Sequence, residues 1–105
     1  MRIDCITIFP ELFKGVLSHS ILRIAAEKRL LDVHLTDLRD FTSDRHRSVD
    51  DRPFGGGPGM VMKVEPLVLA ARSVQAADPQ GPGRLRLMCP QGRVFDQRMA
   101  GELAR

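Results

Sequence analysis

The chain has 105 residues, of which 43% are hydrophobic and 28% charged, with a formal net charge of +3 at pH 7. This length allows one domain at most, and the mildly basic balance is compatible with a polyanionic partner without requiring one. The lack of Trp and Tyr argues against an aromatic base-stacking platform, and the apolar runs are far too short to span a bilayer, which excludes a membrane partner.

The first part of the chain alternates strands with helices. Residues 2–8, RIDCITI, are apolar on both faces, which is typical of a strand in a parallel sheet. Pro10 opens a helix, and Ser20 is placed to cap a second helix. Residues 30–38 alternate again and predict a second strand.

The second part follows a long loop. A short extended piece at 61–66 leads to a helix that Pro66 starts, residues 84–89 (RLRLMC) predict a third strand, and residues 95–105 predict a last helix. The pattern predicts an α/β fold with a mainly parallel sheet flanked by helices. Because the last helix stops at Arg105 without a glycine cap or an element to pack on, we expect the chain to be truncated.

The two cysteines lie in apolar, strand-like segments. Cys5 and Cys89 lack the spacing of metal ligands, and no secretory signal opens the sequence. We therefore expect both thiols to be buried and reduced, in a cytoplasmic protein.

The most informative segment is the loop from Arg39 to Gly59, RDFTSDRHRSVDDRPFGGGPG. Structureless loops of this length are uncommon in compact domains and are usually functional or disordered. Only Phe41, Val49 and Phe54 are available to anchor it in a core.

The glycines of this loop match no phosphate-binding motif. No Gly-Lys-Ser/Thr follows, as a Walker A loop requires, and Met60 stands where a dinucleotide fingerprint has its third glycine. Glycines allow positive φ angles and close approach to a ligand, while Pro53 and Pro58 stiffen the chain. The segment is either a binding loop or a glycine-rich hinge without a ligand.

Arginines and aspartates alternate along the same loop, and three interpretations stay open. The charges form a solvated, self-paired surface, or the arginines bind phosphates while the aspartates orient them, or a carboxylate such as Asp50 or Asp51 accepts a hydrogen bond from a base edge. The spacing of His46, Asp44 and Asp50 matches no recognised metal site, so we assign no metal ligand.

A second signal is LMCPQGR, residues 87–93, where a predicted strand runs into Pro-Gln-Gly. In open α/β sheets, ligands bind beyond the carboxyl ends of the strands. The backbone from Met88 to Gln91 is therefore a candidate pocket border, and the alternative is a plain strand-to-helix turn.

Three segments together resemble the bacterial tRNA (guanine-N1)-methyltransferase family of the SPOUT class: ITIFPELF (6–13), LRDFTSDRHRSVDDRPFGGGPGMVMK (38–63) and CPQGRVFDQ (89–97). The resemblance covers the whole chain but only the front part of the family's protein. It implies that residues 1–105 are the N-terminal part of a SPOUT methyltransferase domain, without the trefoil-knot region and the C-terminal helical domain that follow in the family.

The resemblance also implies an activity. Family members transfer a methyl group from S-adenosylmethionine to N1 of the guanine at position 37 of tRNA, 3′ of the anticodon. They act as homodimers with each active site at the subunit interface, and magnesium supports the reaction. We expect the isolated chain to be inactive. The alternative is a non-enzymatic α/β module for RNA binding or dimerisation, complete in itself.

Site residues follow from the matching motifs. The segment beside the cofactor, where the family often has serine in place of Cys89, comprises Met88, Cys89, Pro90 and Gln91. The positions expected near the target guanine and the tRNA are Arg45, Asp50, Arg52, Pro58 and Gly59. Among these, Asp50 has a supporting role in catalysis, and the resemblance places the general base and the knot loops beyond Arg105.

Overall fold

A computed structural model describes residues 1–104. In chain order the elements are strand β1 (Arg2–Thr7), helix α1 (Pro10–Leu17), helix α2 (Ser20–Glu27), strand β2 (Asp32–Asp37), a 3-10 helix (Leu38–Phe41), strand β3 (Asp50–Asp51), strand β4 (Val61–Met62), helix α3 (Val64–Ala77) and helix α4 (Gln97–Leu103). The alternation of strands and helices confirms the predicted α/β class. No helix among residues 1–104 is long and apolar enough to cross a membrane.

Strands β1 and β2 form the parallel pair that organises the fold. Their register runs from Arg2 opposite Asp32 to Thr7 opposite Asp37, and α1 and α2 provide the crossover that parallel strands need. The amino terminus donates a 2.8 Å hydrogen bond to the carbonyl of Leu30, which extends the pairing at one end. Both strands end at the same edge, and the loop from 39 to 59 begins there.

The helix starts agree with the sequence at one point and differ at another. Pro10 occupies the first turn of α1, as predicted. Ser20 does not cap α2, because His19 holds the N-cap position and neither side chain caps the helix. The Ser18 hydroxyl donates to the carbonyl of Gly15 at 2.9 Å, and His19 Nδ1 lies 2.7 Å from the same oxygen. The polar side chains between the helices therefore close the end of α1 rather than the start of α2.

A small apolar cluster joins the sheet, the loop and helix α3. Its buried members are Leu38, Val49 and Ala70, and the partly buried side chains packed on them are Ile6, Ile8, Phe41 and Leu67. Two of the three predicted loop anchors, Val49 and Phe41, are thus confirmed. The third is wrong, because Phe54 is fully exposed at the tip of the loop.

The third predicted strand, 84–89, is not formed. Residues 82–96 are exposed and contain neither helix nor strand, and within residues 1–104 the ladders pair β1 only with β2 and β3 only with β4. A strand needs a hydrogen-bonding neighbour, so the alternating pattern alone leaves this segment as irregular chain.

Helix boundaries and thiols need smaller corrections. Helix α3 begins at Val64, so Pro66 lies within its first turn instead of opening it. The last helix is shorter than predicted, and its expected end at Arg105 lies outside the described residues. Both cysteines are free, but Cys89 is exposed and only Cys5 is partly buried. Burial, followed by the charge of Asp4, raises the pKa of the Cys5 thiol.

Candidate nucleic-acid interface

The loop begins with the 3-10 helix. Asp37 caps this helix, and Arg39 connects it to the end of β1. Asp37 Oδ1 accepts a 2.9 Å hydrogen bond from the backbone N–H of Arg39. Arg39 Nη1 donates at 2.6 Å to the carbonyl of Ile8, just after β1, and its guanidinium lies 5.9 Å from the centre of the Phe9 ring. The Arg39 side chain therefore makes its contacts within the chain and stabilises the start of the loop.

Arg47 holds the first turn of the loop in the same way. It has a φ of +53°, which non-glycine residues rarely adopt. Its guanidinium pairs with the carboxylate of Asp40, donates from Nε to the carbonyl of Arg39 at 3.3 Å, and lies 4.0 Å from Asp37 Oδ2. These contacts fix the turn against the edge of the sheet.

Asp44 closes the same turn. Its two carboxylate oxygens accept from the backbone N–H of Ser48 at 3.1 and 3.2 Å. Hydrogen bonding from Ser48, from its hydroxyl first and then from its backbone, holds the pKa of Asp44 below its ordinary value, with a smaller contribution from the charge of Lys63. The carboxylate therefore stays ionised as part of the loop's own structure.

The glycine-rich part of the loop is the tip of a short hairpin. Strand β3 pairs antiparallel with β4, and Lys63 N–H donates to the carbonyl of the buried Val49 at 2.8 Å. Residues 52–60 project beyond this base, and a turn is closed by Gly56 N–H donating to the Pro53 carbonyl at 3.1 Å. The hairpin presents its tip to solvent from an anchored base.

The tip requires glycine for its backbone conformation. All of its glycines have positive φ, at +81° for Gly55, +84° for Gly56, +111° for Gly57 and +89° for Gly59. A Cβ at any of these positions would meet nothing within 4 Å. The prediction of positive φ angles is confirmed, and the space left by the missing side chains faces solvent.

Three charged side chains of the loop are left free. Arg45, Asp50 and Arg52 are exposed, and among residues 1–104 none of their side chains takes part in an ion pair or a hydrogen bond. Asp51 differs, because its carboxylate accepts from the N–H of Arg52 at 2.7 Å. The loop therefore divides into a self-paired part, as the first interpretation of its charges expects, and a part whose exposed charged side chains have no partner among residues 1–104.

Pro58 and Gly59 lie on the exposed tip of the same hairpin. The five positions predicted to contact guanine or tRNA are thus all exposed, with Arg45 before the buried Val49 and the other four after it. Sequence analysis did not identify the side chains that stabilise this segment, Arg39 and Arg47, because only the fold shows that Arg39 reaches Ile8 and that Arg47 reaches Asp40.

The segment predicted to border the cofactor is a tight turn. Gly92 N–H donates to the Cys89 carbonyl at 3.0 Å, and a Cβ on Gly92 would lie only 3.2 Å from that oxygen. A side chain at this position would therefore fit only if the Cys89 carbonyl shifted slightly. Met88 is 84% exposed, and Cys89, Pro90 and Gln91 are exposed as well. Within the described part of the chain, no hydrogen bond, ion pair or pocket connects 88–91 with the loop.

Sequence analysis also missed a shallow cavity of about 270 Å³ between the 3-10 helix and the start of α3. Asp40, Asp44 and Ser48 line one side, and Lys63 and Glu65 line the other. Its walls come from two separate segments, so no local motif marks it. In residues 1–104 no group of three or more His, Cys, Asp or Glu side chains is arranged to hold a metal ion.

A parallel β-α-β unit that carries a glycine-rich hairpin at the carboxyl edge of its sheet defines an α/β protein. The family described as tRNA (Guanine-1)-methyltransferase TrmD matches residues 1–105, and the chain belongs to this family.

Individual relatives agree with this assignment. The chain is 53% identical to the tRNA (guanine-N(1)-)-methyltransferase of Chloroflexus aggregans over 99% of its own length and 40% of that protein. It is also 53% identical to the enzyme of the same name from Brevibacillus brevis, over 99% and 42% of the two chains. The crystal structure of tRNA (m1G37) methyltransferase from Aquifex aeolicus superimposes with a TM-score of 0.86 at 33% identity, covering 98% of this chain and 45% of that one. The chain thus spans less than half the length of these relatives.

Proposed function

We propose that this chain supplies the tRNA-facing loop of an enzyme that transfers a methyl group from S-adenosylmethionine to N1 of guanine 37 of tRNA, 3′ of the anticodon. The observation that carries the proposal is that the charged side chains of the loop fall into an internally bonded set and an unpaired set. Arg39 and Arg47 are bonded internally, while Asp50 and Arg52 are unpaired on an anchored hairpin and Arg45 is unpaired in the turn before it. The names of the relatives support the reaction.

The free groups suit the two parts of a nucleotide. A guanine presents its exocyclic amine beside N1 on the Watson–Crick edge, and a carboxylate such as Asp50 accepts from that amine while N1 stays open to the base and the methyl donor. The guanidinium groups of Arg45 and Arg52 suit the flanking phosphates. Arg45, Asp50 and Arg52 are all exposed on this loop, so their side chains are accessible to a nucleotide.

The chemistry requires positioning more than covalent assistance. Methyl transfer is an in-line displacement, so alignment of N1 with the donor supplies much of the rate. Guanine N1 is a poor nucleophile until its proton is removed, and a carboxylate near N1 serves as base. We assign Asp50 the role of orienting the guanine. We assign no general base among residues 1–104, since the family resemblance places it beyond Arg105.

For the methyl donor we propose the turn formed by Met88, Cys89, Pro90 and Gln91. S-adenosylmethionine supplies the electrophilic methyl group. The residues fit a backbone border, because the turn is closed tightly at Gly92 and its side chains are exposed. Residues 1–104 contain no cluster of three or more metal-binding side chains, and we derive no step through magnesium.

We also propose a homodimeric, cytoplasmic enzyme, since tRNA modification takes place in the cytoplasm. Support for a dimer comes from apolar side chains on α1 and α2 that are largely exposed, with Leu12 at 69%, Val16 at 64% and Ile21 at 74%. Apolar surface of this kind is typical of faces that another chain covers.

The experiment is an Asp50→Ala substitution in the intact protein, assayed for methylation of a tRNA transcript and for binding of S-adenosylmethionine by calorimetry. We expect turnover to fall about tenfold or more, as is typical when an orienting contact is lost, with cofactor affinity unchanged. Asp32→Ala, an exposed acid on β2, is the control and retains wild-type turnover. An equal loss of cofactor affinity, or unchanged turnover, would contradict the role assigned to Asp50.

A further inference from the structure

Phe54 stands out among the phenylalanines because its side chain is 100% exposed. Phe41 packs on the core cluster, and Phe9 contacts the Arg39 guanidinium. Phe54 instead occupies the hairpin tip, inside the turn that Pro53 and Gly56 close and two residues after the unpaired Arg52. A ring held fully in water on a braced turn contributes nothing to the core, so its position suggests contact with another molecule.

The surroundings of the ring favour a flat ligand. The residues that follow are Gly55, Gly56 and Gly57, where even a Cβ would have no neighbour within 4 Å. No side chain on that side of the turn therefore obstructs the approach of a planar group. Arg52, two residues before the ring, offers an unpaired guanidinium.

The exposed ring together with unpaired guanidinium groups indicates the class of ligand. The chain carries a net charge of +3, and the unpaired guanidinium groups of Arg45 and Arg52, which are exposed on the same loop as the carboxylates of Asp50 and Asp51, favour a polyanion. An aromatic ring beside guanidinium groups is the combination with which proteins bind single-stranded nucleic acid, because every base has a π face. An apolar protein surface would leave both guanidinium groups without a partner.

We propose that Phe54 stacks on an unpaired base of the tRNA anticodon loop, while Arg52 binds an adjacent phosphate. This inference rests on the proposed function, because the target guanine lies 3′ of the anticodon and its neighbours in that loop are unpaired. It reverses the expectation drawn from the lack of Trp and Tyr, since one phenylalanine presented in this way is sufficient for one base.

The test measures binding of a tRNA transcript to the intact protein as a function of salt. Phe54→Leu is expected to weaken binding about tenfold or more, the loss typical of one base–aromatic stack, without changing the slope of log K against log salt. Arg52→Ala is expected to reduce that slope by roughly 0.7 to 0.9. Phe54→Tyr retains the ring and should retain affinity, and Phe13→Leu, on α1, is the matched control.

Transcripts with single abasic positions through the anticodon loop then locate the base. We expect one abasic position to weaken binding to the wild type and to have no further effect on Phe54→Leu. Additive losses at every position would overturn the stacking, as would wild-type affinity of Phe54→Leu.

A further measurement separates this inference from the proposed function. If Arg52→Ala weakens binding while Phe54→Leu does not, stacking fails and the proposed function stands; if neither affects binding, both fail. Sedimentation of the Phe54→Leu variant tests whether a second copy of the chain covers the ring instead. A change in its oligomeric state would overturn the proposal.

Discussion

The guanidinium of Arg39 donates a 2.6 Å hydrogen bond to the carbonyl of Ile8, a residue 31 positions earlier. This bond joins the end of β1 to the start of the long loop. The start of the loop is therefore held at the edge of the sheet, because moving it away would break this hydrogen bond.

Removing this connection should destabilise the protein. We expect Arg39→Ala to lower the free energy of unfolding by about 1–2 kcal/mol, since it removes a charged hydrogen bond and a cation–π contact. Urea denaturation of the intact protein measures this change. Arg72→Ala, at an exposed position on α3, should stay within about 0.5 kcal/mol of the wild type, and equal effects of the two substitutions would contradict the assignment.

Arg47 and Arg45 should behave differently although they are two residues apart. Arg47→Ala removes the contact with Asp40 and should lower the free energy of unfolding by up to about 1 kcal/mol. Arg45→Ala should leave stability within about 0.5 kcal/mol and reduce the salt dependence of tRNA binding by roughly one phosphate contact. Denaturation and binding, measured on both variants, check this division, and the opposite pattern would refute it.

Two Gly→Ala substitutions should have effects of opposite sign. Gly57 has a φ of +111°, so Gly57→Ala is expected to cost about 1 kcal/mol or more in backbone strain, although its Cβ meets open space. Gly15 lies inside α1, also with open space around it, and Gly15→Ala should gain about 0.5–1 kcal/mol. Thermal denaturation of the two variants decides the matter, and stabilisation by Gly57→Ala would show that the positive φ angle is not required.

Low pH should weaken the ion pair between Arg2 and Asp4 on β1. Arg2 donates from Nε to Asp4 at 2.9 Å, and this hydrogen bond holds the pKa of Asp4 below its ordinary value of 3.8. A carboxylate with a lowered folded-state pKa contributes stability above the unfolded-state value, and the contribution disappears as pH falls through the folded-state pKa.

The corresponding variant is Asp4→Asn. It should be less stable than the wild type by about 1 kcal/mol at pH 7, and the difference should shrink as the pH falls below about 4. Denaturation midpoints measured from pH 7 to pH 2 test this expectation. A difference that stays constant over that range would show that ionised Asp4 does not stabilise the fold.

Local sequence patterns correctly predicted the elements that depend mainly on neighbouring residues. The period-2 alternation identified β1 and β2, and Pro10 marked a helix start, because these features depend on neighbours in sequence. The segment 84–89 has the same alternation but no ladder partner among residues 1–104, and propensity cannot supply one. Ser20 was misassigned because it is already the first helical residue of α2, so His19 holds the N-cap position instead.

The candidate site was predictable in location but not in the division of roles. Glycine and proline marked the tip, and the family motif selected Arg45, Asp50 and Arg52. Composition could not separate them from Arg39 and Arg47, because the difference lies in long-range acceptors such as the Ile8 carbonyl. Phe54 was misassigned for a similar reason, since apolar character alone does not distinguish a core anchor from an exposed contact.

Val49 is buried to 5% exposure in the middle of the long loop, and its carbonyl receives the Lys63 N–H. The loop consequently consists of two short segments, before and after Val49, that share this residue as their anchor. Ionic contacts shape the first segment, and the backbone torsions of the glycines shape the second. Insertions or deletions in one segment should therefore leave the conformation of the other unchanged.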